Sequence, residues 1–295
     1  MGSFTLEEMS LARRLGIAVI GVVTLQLVAS AFAVQCDQPA PDLAPLARHV
    51  IDALKREYSQ PSHLTYIEHR RDIDISRLGK VSVGPLRTFE VYPTRTGDPW
   101  KRLVAIDGKP LDPAELARRD AEHHRDVQKR AERERSETSK QRAARLEKEA
   151  EEVREREAIL DDAYSVFDLG FVCRETIDGT SVLVLSLTPR PDARVTTREG
   201  GMMKHFTGRM WVSEADHHIA RLRLHAREDV SIGWGVVARV EAGSGFDYVR
   251  KRVGNAWAPS ELTIEGSGRT LLFRKFQVKT VTKYSGHQRV PPPAD

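Results

Sequence analysis

The sequence predicts an α+β protein built on one large antiparallel sheet. Three observations point to this fold class: alternating apolar and polar segments fill the C-terminal half, an amphipathic helix precedes the first such segments, and a long charged stretch interrupts them. Turn residues recur roughly every 8–12 positions, which is typical of a sheet that curves or partly closes. A chain of 295 residues with 40% apolar content can bury one core and suits one or two domains.

The chain begins with the pattern of an export signal. Arg13 and Arg14 precede an apolar stretch that ends in Ala31-Phe32-Ala33, the small residues at which signal peptidase cleaves. The sequence therefore predicts a signal peptide over 1–33, cleavage after Ala33 and a periplasmic mature protein. An uncleaved N-terminal anchor is the alternative, because the uncharged stretch approaches the roughly 20 residues that span a bilayer.

Two cysteines, Cys36 and Cys173, remain in the predicted mature chain. An oxidising compartment would permit a disulfide between them that ties the N-terminus to the sheet, and two thiols are the alternative. A lipid-modified cysteine needs a small residue before it. Gln35 is bulky and polar, so the sequence argues against a lipid anchor at Cys36.

Residues 34–110 are predicted to supply the first helix and the first strands of the sheet. Leu46, Val50 and Leu54 share one stripe at helical spacing, which predicts an amphipathic helix over 42–58. Alternation then predicts strands that end at the turn Asp107-Gly108. These strands are expected over 63–75, 85–96 and 100–106.

The charged segment 111–160 is predicted to be a helical arm inserted into the sheet. Asp112-Pro113 combines an N-cap with the proline that is favoured at the first helical position. One continuous helix is the favoured interpretation, and a hairpin near 136–139, with Thr138 and Gln141 as a second capping box, is the alternative. Because acidic and basic residues balance, the arm predicts no nucleic-acid partner and suits a membrane or envelope protein instead.

Residues 161–290 are predicted to form the remaining antiparallel strands, and 291–295 a disordered tail. Asp178-Gly179 is a strong hairpin signal, and Gly266-Ser267-Gly268 predicts another turn. The segment 182–187 is apolar on both faces, which predicts a strand that is covered on both sides. Strands are expected over 171–177, 181–188, 210–213, 219–226, 235–241, 245–251, 257–265 and 270–283.

The search for catalytic motifs argues against an enzyme. Gly233-Trp234-Gly235 begins a match to the dinucleotide fingerprint, but β-type residues follow instead of a helix, so a bend in the sheet is the better interpretation. The histidine pairs His123-His124 and His217-His218 have no further ligand at metal-binding spacing. The sequence therefore predicts a non-enzymatic protein without a cofactor or a metal site.

A wide antiparallel sheet with one apolar face must cover that face. The helix over 42–58 is too short to cover eight or more strands, so the sheet either closes on itself or encloses a cavity for an apolar ligand. A core packed by these same side chains is the alternative to a cavity. Alternation selects these residues as the candidate lining of a lipid-binding cavity: Phe89, Val91, Leu222, Leu224, Phe246, Trp257, Leu262 and Phe273.

Two short motifs add a family resemblance. Gly208-Arg209-Met210-Trp211-Val212, with a hairpin into Ile219-Ala220-Arg221-Leu222, and Gly254-Asn255-Ala256-Trp257-Ala258-Pro259-Ser260 resemble outer-membrane lipoprotein-sorting proteins of the LolA/LolB-like superfamily. The resemblance implies an unclosed half-barrel whose helices act as a lid over an apolar cavity for acyl chains of lipoproteins or other lipids. The charged arm departs from this pattern.

Two functions follow from these patterns. The first is a lipid or lipoprotein carrier with a dry apolar cavity. The second is an envelope interaction or stress-sensing protein that acts through the arm, with the sheet as its scaffold.

Overall fold

The computed structural model describes residues 39–59, 63–76, 80–94, 99–232, 238–270 and 274–291. Within these ranges the chain forms four helices and fourteen strands. The helices are α1 (Leu43–Tyr58), α2 (Pro113–Ser136), α3 (Ser139–Val166) and α4 (Arg198–Met203). The strands are β1 (Leu64–Ile75), β2 (Val81–Val83), β3 (Arg87–Tyr92), β4 (Trp100–Ile106), β5 (Lys109–Pro110), β6 (Phe167–Ile177), β7 (Thr180–Pro189), β8 (Phe206–Ser213), β9 (Ile219–Ala226), β10 (Val230–Ile232), β11 (Ala238–Val240), β12 (Gly245–Val253), β13 (Ala256–Thr270) and β14 (Arg274–Arg289).

All described strands belong to one antiparallel sheet. Its order is β5-β4-β3-β1-β14-β13-β12-β9-β8-β7-β6, with β2 paired to β1 and the β10–β11 hairpin paired to β13. The strands at its two ends are β5, which pairs with β4, and β6, which pairs with β7. The sheet is therefore open, and the predicted α+β class with a large unclosed antiparallel sheet is confirmed.

The tight turns follow the sequence signals. Asp107 and Gly108 have φ angles of 50° and 74°, and Asp178 and Gly179 have 48° and 76°, the left-handed geometry that joins two adjacent strands. The predicted turn at 266–268 is wrong, because β13 runs through it. Its backbone pairs with β14 on one side, and Gly268 also pairs with β11, so ladder hydrogen bonds outweigh the turn preference of these glycines.

Helix α1 forms because a cap and an apolar stripe agree. The Asp42 side chain accepts a hydrogen bond from the backbone N–H of Ala44 at 3.2 Å, and the stripe buries Leu46, Val50 and Ala53. Burial of a leucine or valine side chain contributes about 1.5–3 kcal/mol, so the packed stripe stabilises the helix more than its intrinsic propensity does. The predicted helix over 42–58 is confirmed.

The strand register assigns side chains to two faces of the sheet, because residues directly opposite in a ladder point to the same side. We call the side that carries α1 the helix face; there Leu46 and Val50 pack on Leu185 and Met210. On the outer face, Val184 belongs to a second buried cluster. Strand β7 is therefore buried from both sides, as its apolar sequence predicted.

The arm consists of two helices and a bend. Helix α2 begins at Asp112, whose side chain accepts hydrogen bonds from the N–H groups of Ala114 and Glu115 at 2.9 and 3.2 Å. At Glu137 and Thr138 the backbone becomes extended, with ψ angles of 130° and 160°. One continuous helix over the arm is therefore wrong.

A capping box starts the second helix of the arm, as the hairpin alternative expected. The Thr138 N–H donates to Gln141 Oε1 at 2.9 Å, and the Gln141 N–H donates to Thr138 Oγ1 at 3.3 Å. At 1.5 Å per residue, the 24 residues of α2 and the 28 of α3 extend about 36 and 42 Å. The arm leaves the sheet after β5 and returns into β6, so it connects the two ends of the strand order.

Candidate functional site

Among the described residues, the helices cover only part of the helix face. The apolar cluster under α1 contains residues of β6, β7, β8 and β9, and the C-terminal part of α3 joins it through Val166. Helix α2 packs at β4, where outer-face side chains meet it. The helix face of β12, β13, β14, β1 and β3 is therefore the region whose side chains matter for a ligand.

The register brings most candidate lining residues to this face. Leu224 lies opposite Phe246, and Leu262 lies opposite Tyr248, which in turn lies opposite Leu222. Across β14 and β1 the same face continues to Phe89 and Val91 of β3.

These residues differ in burial. Leu222 and Leu224 pack against the cluster under α1, and Val91 is 1% exposed. Phe89, Phe246 and Leu262 are half-buried, and Ile264, on the same face, is 43% exposed. We refer to Phe89, Val91, Phe246, Leu262 and Ile264 as the lining.

Trp257 does not pack with the lining. It is 8% exposed and belongs to the second buried cluster with Trp211 and Cys173. Its indole N–H donates to Asp216 at 3.1 Å, in the turn between β8 and β9. The interpretation of Trp257 as a lining residue is corrected accordingly, and Phe273 lies outside the described residues.

A polar group that the sequence did not single out lies between the lining residues. Tyr66, Glu68, Tyr248 and Tyr284, which we call the tyrosine patch, share the helix face. Tyr284 is directly opposite Glu68, and the rings of Tyr66 and Tyr284 meet edge to face, with centroids 5.5 Å apart at 82°. Alternation along β1 places Tyr66 and Glu68 on one side, but a glutamate there signals a solvent face, which is why the patch was missed.

The carboxylate of Glu68 is buried, and an ion pair with Lys101 balances its charge. Its side chain is 3% exposed and accepts a hydrogen bond from Lys101 Nζ at 2.7 Å, while the Lys101 side chain is 46% exposed. An isolated buried carboxylate would cost several kcal/mol, so the ion pair is what permits it at this position. The ammonium group of Lys101 reaches the site from β4, two strands away.

The tyrosine hydroxyls of the patch remain protonated. Burial raises the pKa of Tyr66 to about 12, and the negative charge of Glu68 opposes its ionisation further. Burial and Glu68 also raise the pKa of Tyr284, and burial raises that of Tyr248. Within the described part of the chain, no hydrogen bond joins any of these hydroxyls to another group. Their O–H groups are therefore available as hydrogen-bond donors on the helix face.

The C-terminal end of α1 is fixed beside this region. The buried guanidinium of Arg250 donates to the carboxylate of Glu57 and to the backbone carbonyl of Trp257, the latter at 3.0 Å. Glu57 also contacts His218 Nδ1 at 3.1 Å. These contacts attach α1 to β12 and to the β8–β9 turn, so the helix is held at the border of the lining.

The histidine pairs have structural neighbours. The His123 ring stacks on Trp100 with centroids 3.9 Å apart, and it is part of the contact between α2 and β4. The His217 ring lies 4.8 Å from that of His49 on α1.

Several sequence predictions fall outside the described residues. They are the signal peptide, Cys36 and the glycine fingerprint at 233–237. Cys173 is buried, and its Sγ lies 3.8 Å from a carboxylate oxygen of Glu175, so a disulfide with Cys36 stays a prediction.

The strand order and the helix packing define the class of the molecule: an α+β protein with an unclosed antiparallel sheet. No protein-family model matches the chain, and no curated protein is significantly similar to it in sequence. Solved structures with a similar chain path do exist.

Three of these structures illustrate the similarity. A domain described as an outer membrane lipoprotein-sorting protein, from Vibrio parahaemolyticus, has a TM-score of 0.30 and 10% identity, over 82% of this chain and 93% of that chain. A DUF1329 family protein from Desulfovibrio piger has a TM-score of 0.28 and 10% identity, over 83% of this chain and 93% of that chain. A LolA superfamily protein from Nitrosomonas europaea has a TM-score of 0.27 and 9% identity, over 84% of this chain and 94% of that chain. At these values the similarity supports no conclusion about this chain, and its ligand must be inferred from its own side chains.

Among the described residues, no helix combines the length and the apolar character that crossing a membrane requires.

Proposed function

We propose that this protein is a periplasmic carrier that holds acyl chains of lipids or lipoproteins against the lining. The observation that carries the proposal is the lining itself, which presents half-buried Phe89, Phe246 and Leu262 and exposed Ile264 on a face where α1 covers only the neighbouring strands. Apolar side chains that share one face at the edge of a helix-covered core are typical of a ligand site.

The energetics of an acyl chain suit such a face. Each buried methylene contributes about 0.8 kcal/mol, so about ten methylenes supply roughly 8 kcal/mol. Before the cost of ordering the ligand, this value corresponds to a dissociation constant of about 1 μM. An exported carrier of this affinity would hold its ligand in the periplasm, and the export signal over 1–33 supports that location.

Native mass spectrometry of the mature protein, purified from the cell envelope, tests the proposal directly. We expect a bound lipid or acylated peptide at one per chain, which solvent extraction would identify. A mass without ligand, together with no uptake of a fluorescent fatty acid, would refute the carrier function.

A matched pair of variants then locates the ligand. Ile264→Lys places a charge in the lining, and Thr263→Lys places the same charge on the outer face, opposite Asp247. Because a lysine buried under an acyl chain must lose its hydration, we expect Ile264→Lys to weaken probe binding at least tenfold. Thr263→Lys should leave it within about twofold, and equal effects of both variants would contradict the location.

The arm supports interaction with an envelope partner as a second candidate function. Val127, Leu146 and Val153 are 52%, 52% and 42% exposed on helices that are otherwise mostly charged. If the arm recognises a protein, lysine substitutions at these three positions should abolish site-specific crosslinks from the arm and leave probe uptake by the sheet unchanged. Unchanged crosslinks would count against this function.

A further inference from the structure

The tyrosine patch lies inside the lining, within reach of any ligand bound there. Glu68 is directly opposite both Tyr284 on β14 and Phe89 on β3, and Tyr248 is directly opposite Leu262. Directly opposed side chains in an antiparallel sheet have Cβ atoms about 4.5–5.5 Å apart. An acyl chain that lies across Phe89 and Leu262 would therefore pass close to the tyrosine side chains of the patch.

Each hydroxyl of the patch offers a hydrogen-bond donor. The structure gives Tyr66, Tyr248 and Tyr284 no hydrogen-bond partner among the described residues, although their rings are half-buried. A ligand that covers these hydroxyls removes them from water, so an acceptor on the ligand is needed to replace their hydrogen bonds to solvent. The raised pKa values of these groups agree with a donor role at neutral pH.

The charges of the patch select the kind of acceptor. A ligand carboxylate would lose its hydration beside the patch without gaining an unpaired cation, because Lys101 is already paired with Glu68 and Arg70 with Asp72. A cationic headgroup would have to replace Lys101, whose ammonium group already pairs with Glu68 at 2.7 Å. A neutral carbonyl oxygen accepts from the tyrosine hydroxyls and meets neither obstacle.

We propose that Tyr66 and Tyr284 bind the ester or amide carbonyl of an acyl ligand, so that the lining selects acyl esters or amides over free fatty acids. This inference rests on the proposed carrier function and names the ligand class of that same site. The apolar lining supplies affinity for the chain, and the patch supplies the preference for how the chain is joined to the rest of the ligand.

Three ligands of matched chain length test the inference on the mature protein. Methyl laurate carries the ester carbonyl, dodecyl methyl ether lacks it, and laurate replaces it by a carboxylate. In displacement of a fluorescent acyl probe, we expect the ester to bind about tenfold more tightly than the ether, as two neutral hydrogen bonds allow. Laurate should bind more weakly than the ester.

The double variant Tyr66→Phe/Tyr284→Phe keeps the rings and removes the hydroxyls. It should bind the ester as weakly as the ether and leave ether binding unchanged, with a melting temperature near that of the wild type. Tyr92→Phe is the control, since Tyr92 lies on the outer face of β3 and bonds Glu90 at 2.8 Å; the preference for the ester should persist in it.

These outcomes distinguish failure of the tyrosine patch from failure of the carrier function. Equal binding of ester and ether, tighter binding of laurate, or an ester preference that survives the double variant would overturn the role of the patch and leave the carrier function standing. If neither the ester nor the ether binds, both the carrier function and the patch are refuted.

Discussion

Substitution of Asp162 is expected to detach the end of the arm from the body of the sheet. Asp162 lies near the C-terminus of α3 and is 4% exposed. Its carboxylate accepts hydrogen bonds from the N–H groups of Thr196 and Thr197 at 3.0 and 2.7 Å and from the Thr197 hydroxyl at 2.6 Å. Thr197 is also the N-cap of α4 and accepts from the Gly200 N–H at 2.9 Å.

The cost of Asp162→Asn follows from these bonds. Hydrogen bonds to a charged group contribute about 1.5–3 kcal/mol each and neutral ones about 0.5–1.5 kcal/mol, so loss of the charge weakens those that remain. The amide nitrogen also replaces one acceptor by a donor. We expect a loss of about 3 kcal/mol in the free energy of unfolding, or roughly 6–12 °C in melting temperature for a chain of this size.

The adjacent residue supplies the control for this measurement. Asp161 is 62% exposed at its side chain and pairs with Lys55 at 2.6 Å. Exposed ion pairs contribute at most about 1 kcal/mol, so Asp161→Asn should be nearly neutral in urea denaturation. Equal stability of the two variants, or a loss below about 0.5 kcal/mol in Asp162→Asn, would refute the reasoning.

The pH dependence gives an independent check. Burial by itself would raise the pKa of Asp162, but the hydrogen bonds from Thr197 and Thr196 outweigh it, and the net pKa is lowered from 3.8. A carboxyl whose folded pKa is lowered adds stability above its unfolded pKa and loses it as the pH falls through the folded value. The difference between wild type and Asp162→Asn should therefore be constant near neutrality and shrink below about pH 3.8.

Three further variants test other parts of the structure. Lys101→Met leaves Glu68 buried without its partner and should lower the free energy of unfolding in urea by about 3–5 kcal/mol. Glu68→Gln in the same chain should restore most of this loss. A Lys101→Met variant of unchanged stability would contradict the importance of the ion pair. Thr138→Ala removes the capping box and should cost about 1 kcal/mol, with faster amide exchange at the start of α3 as its local signature. Gly208→Ala would drive a methyl group into the backbone carbonyl of Arg223, so we expect little folded protein by circular dichroism, and a normal melting curve would show that β8 and β9 can separate there.

Local signals predicted the elements whose stabilising contacts are local. The stripe of α1, the cap at Asp112 and the turns at 107–108 and 178–179 each depend on residues close in sequence, and the structure has them where the patterns indicated. The arm shows the limit of this approach. A charged stretch without glycine or proline favours a continuous helix, yet the chain bends at 137–138, where the cap of α3 competes with continuation of α2.

The site was harder to predict because its geometry depends on register. Alternation grouped Leu222 with Leu224 correctly, since both lie on one uninterrupted strand. It does not support grouping Trp257 with Leu262, because the two residues are an odd number of positions apart, and the β12–β13 ladder also shifts between Val249 and Arg250. A single sequence contains no signal for the position of such a shift.

The tyrosine patch depends on the longest-range pairing among the described strands. Strand β1 from the N-terminal half pairs with β14 from the C-terminal end, where Thr280 donates to Asp72 at 2.8 Å across 208 residues of sequence. Tyr66 and Glu68 meet Tyr284 only through this pairing, so no local pattern could indicate the patch. Because closing so long a loop is entropically costly, the pairing must be supported by the whole of β13 and β14, and the patch exists only in the completed sheet. A carrier built in this way would acquire its preference for a ligand at the same step that completes its fold.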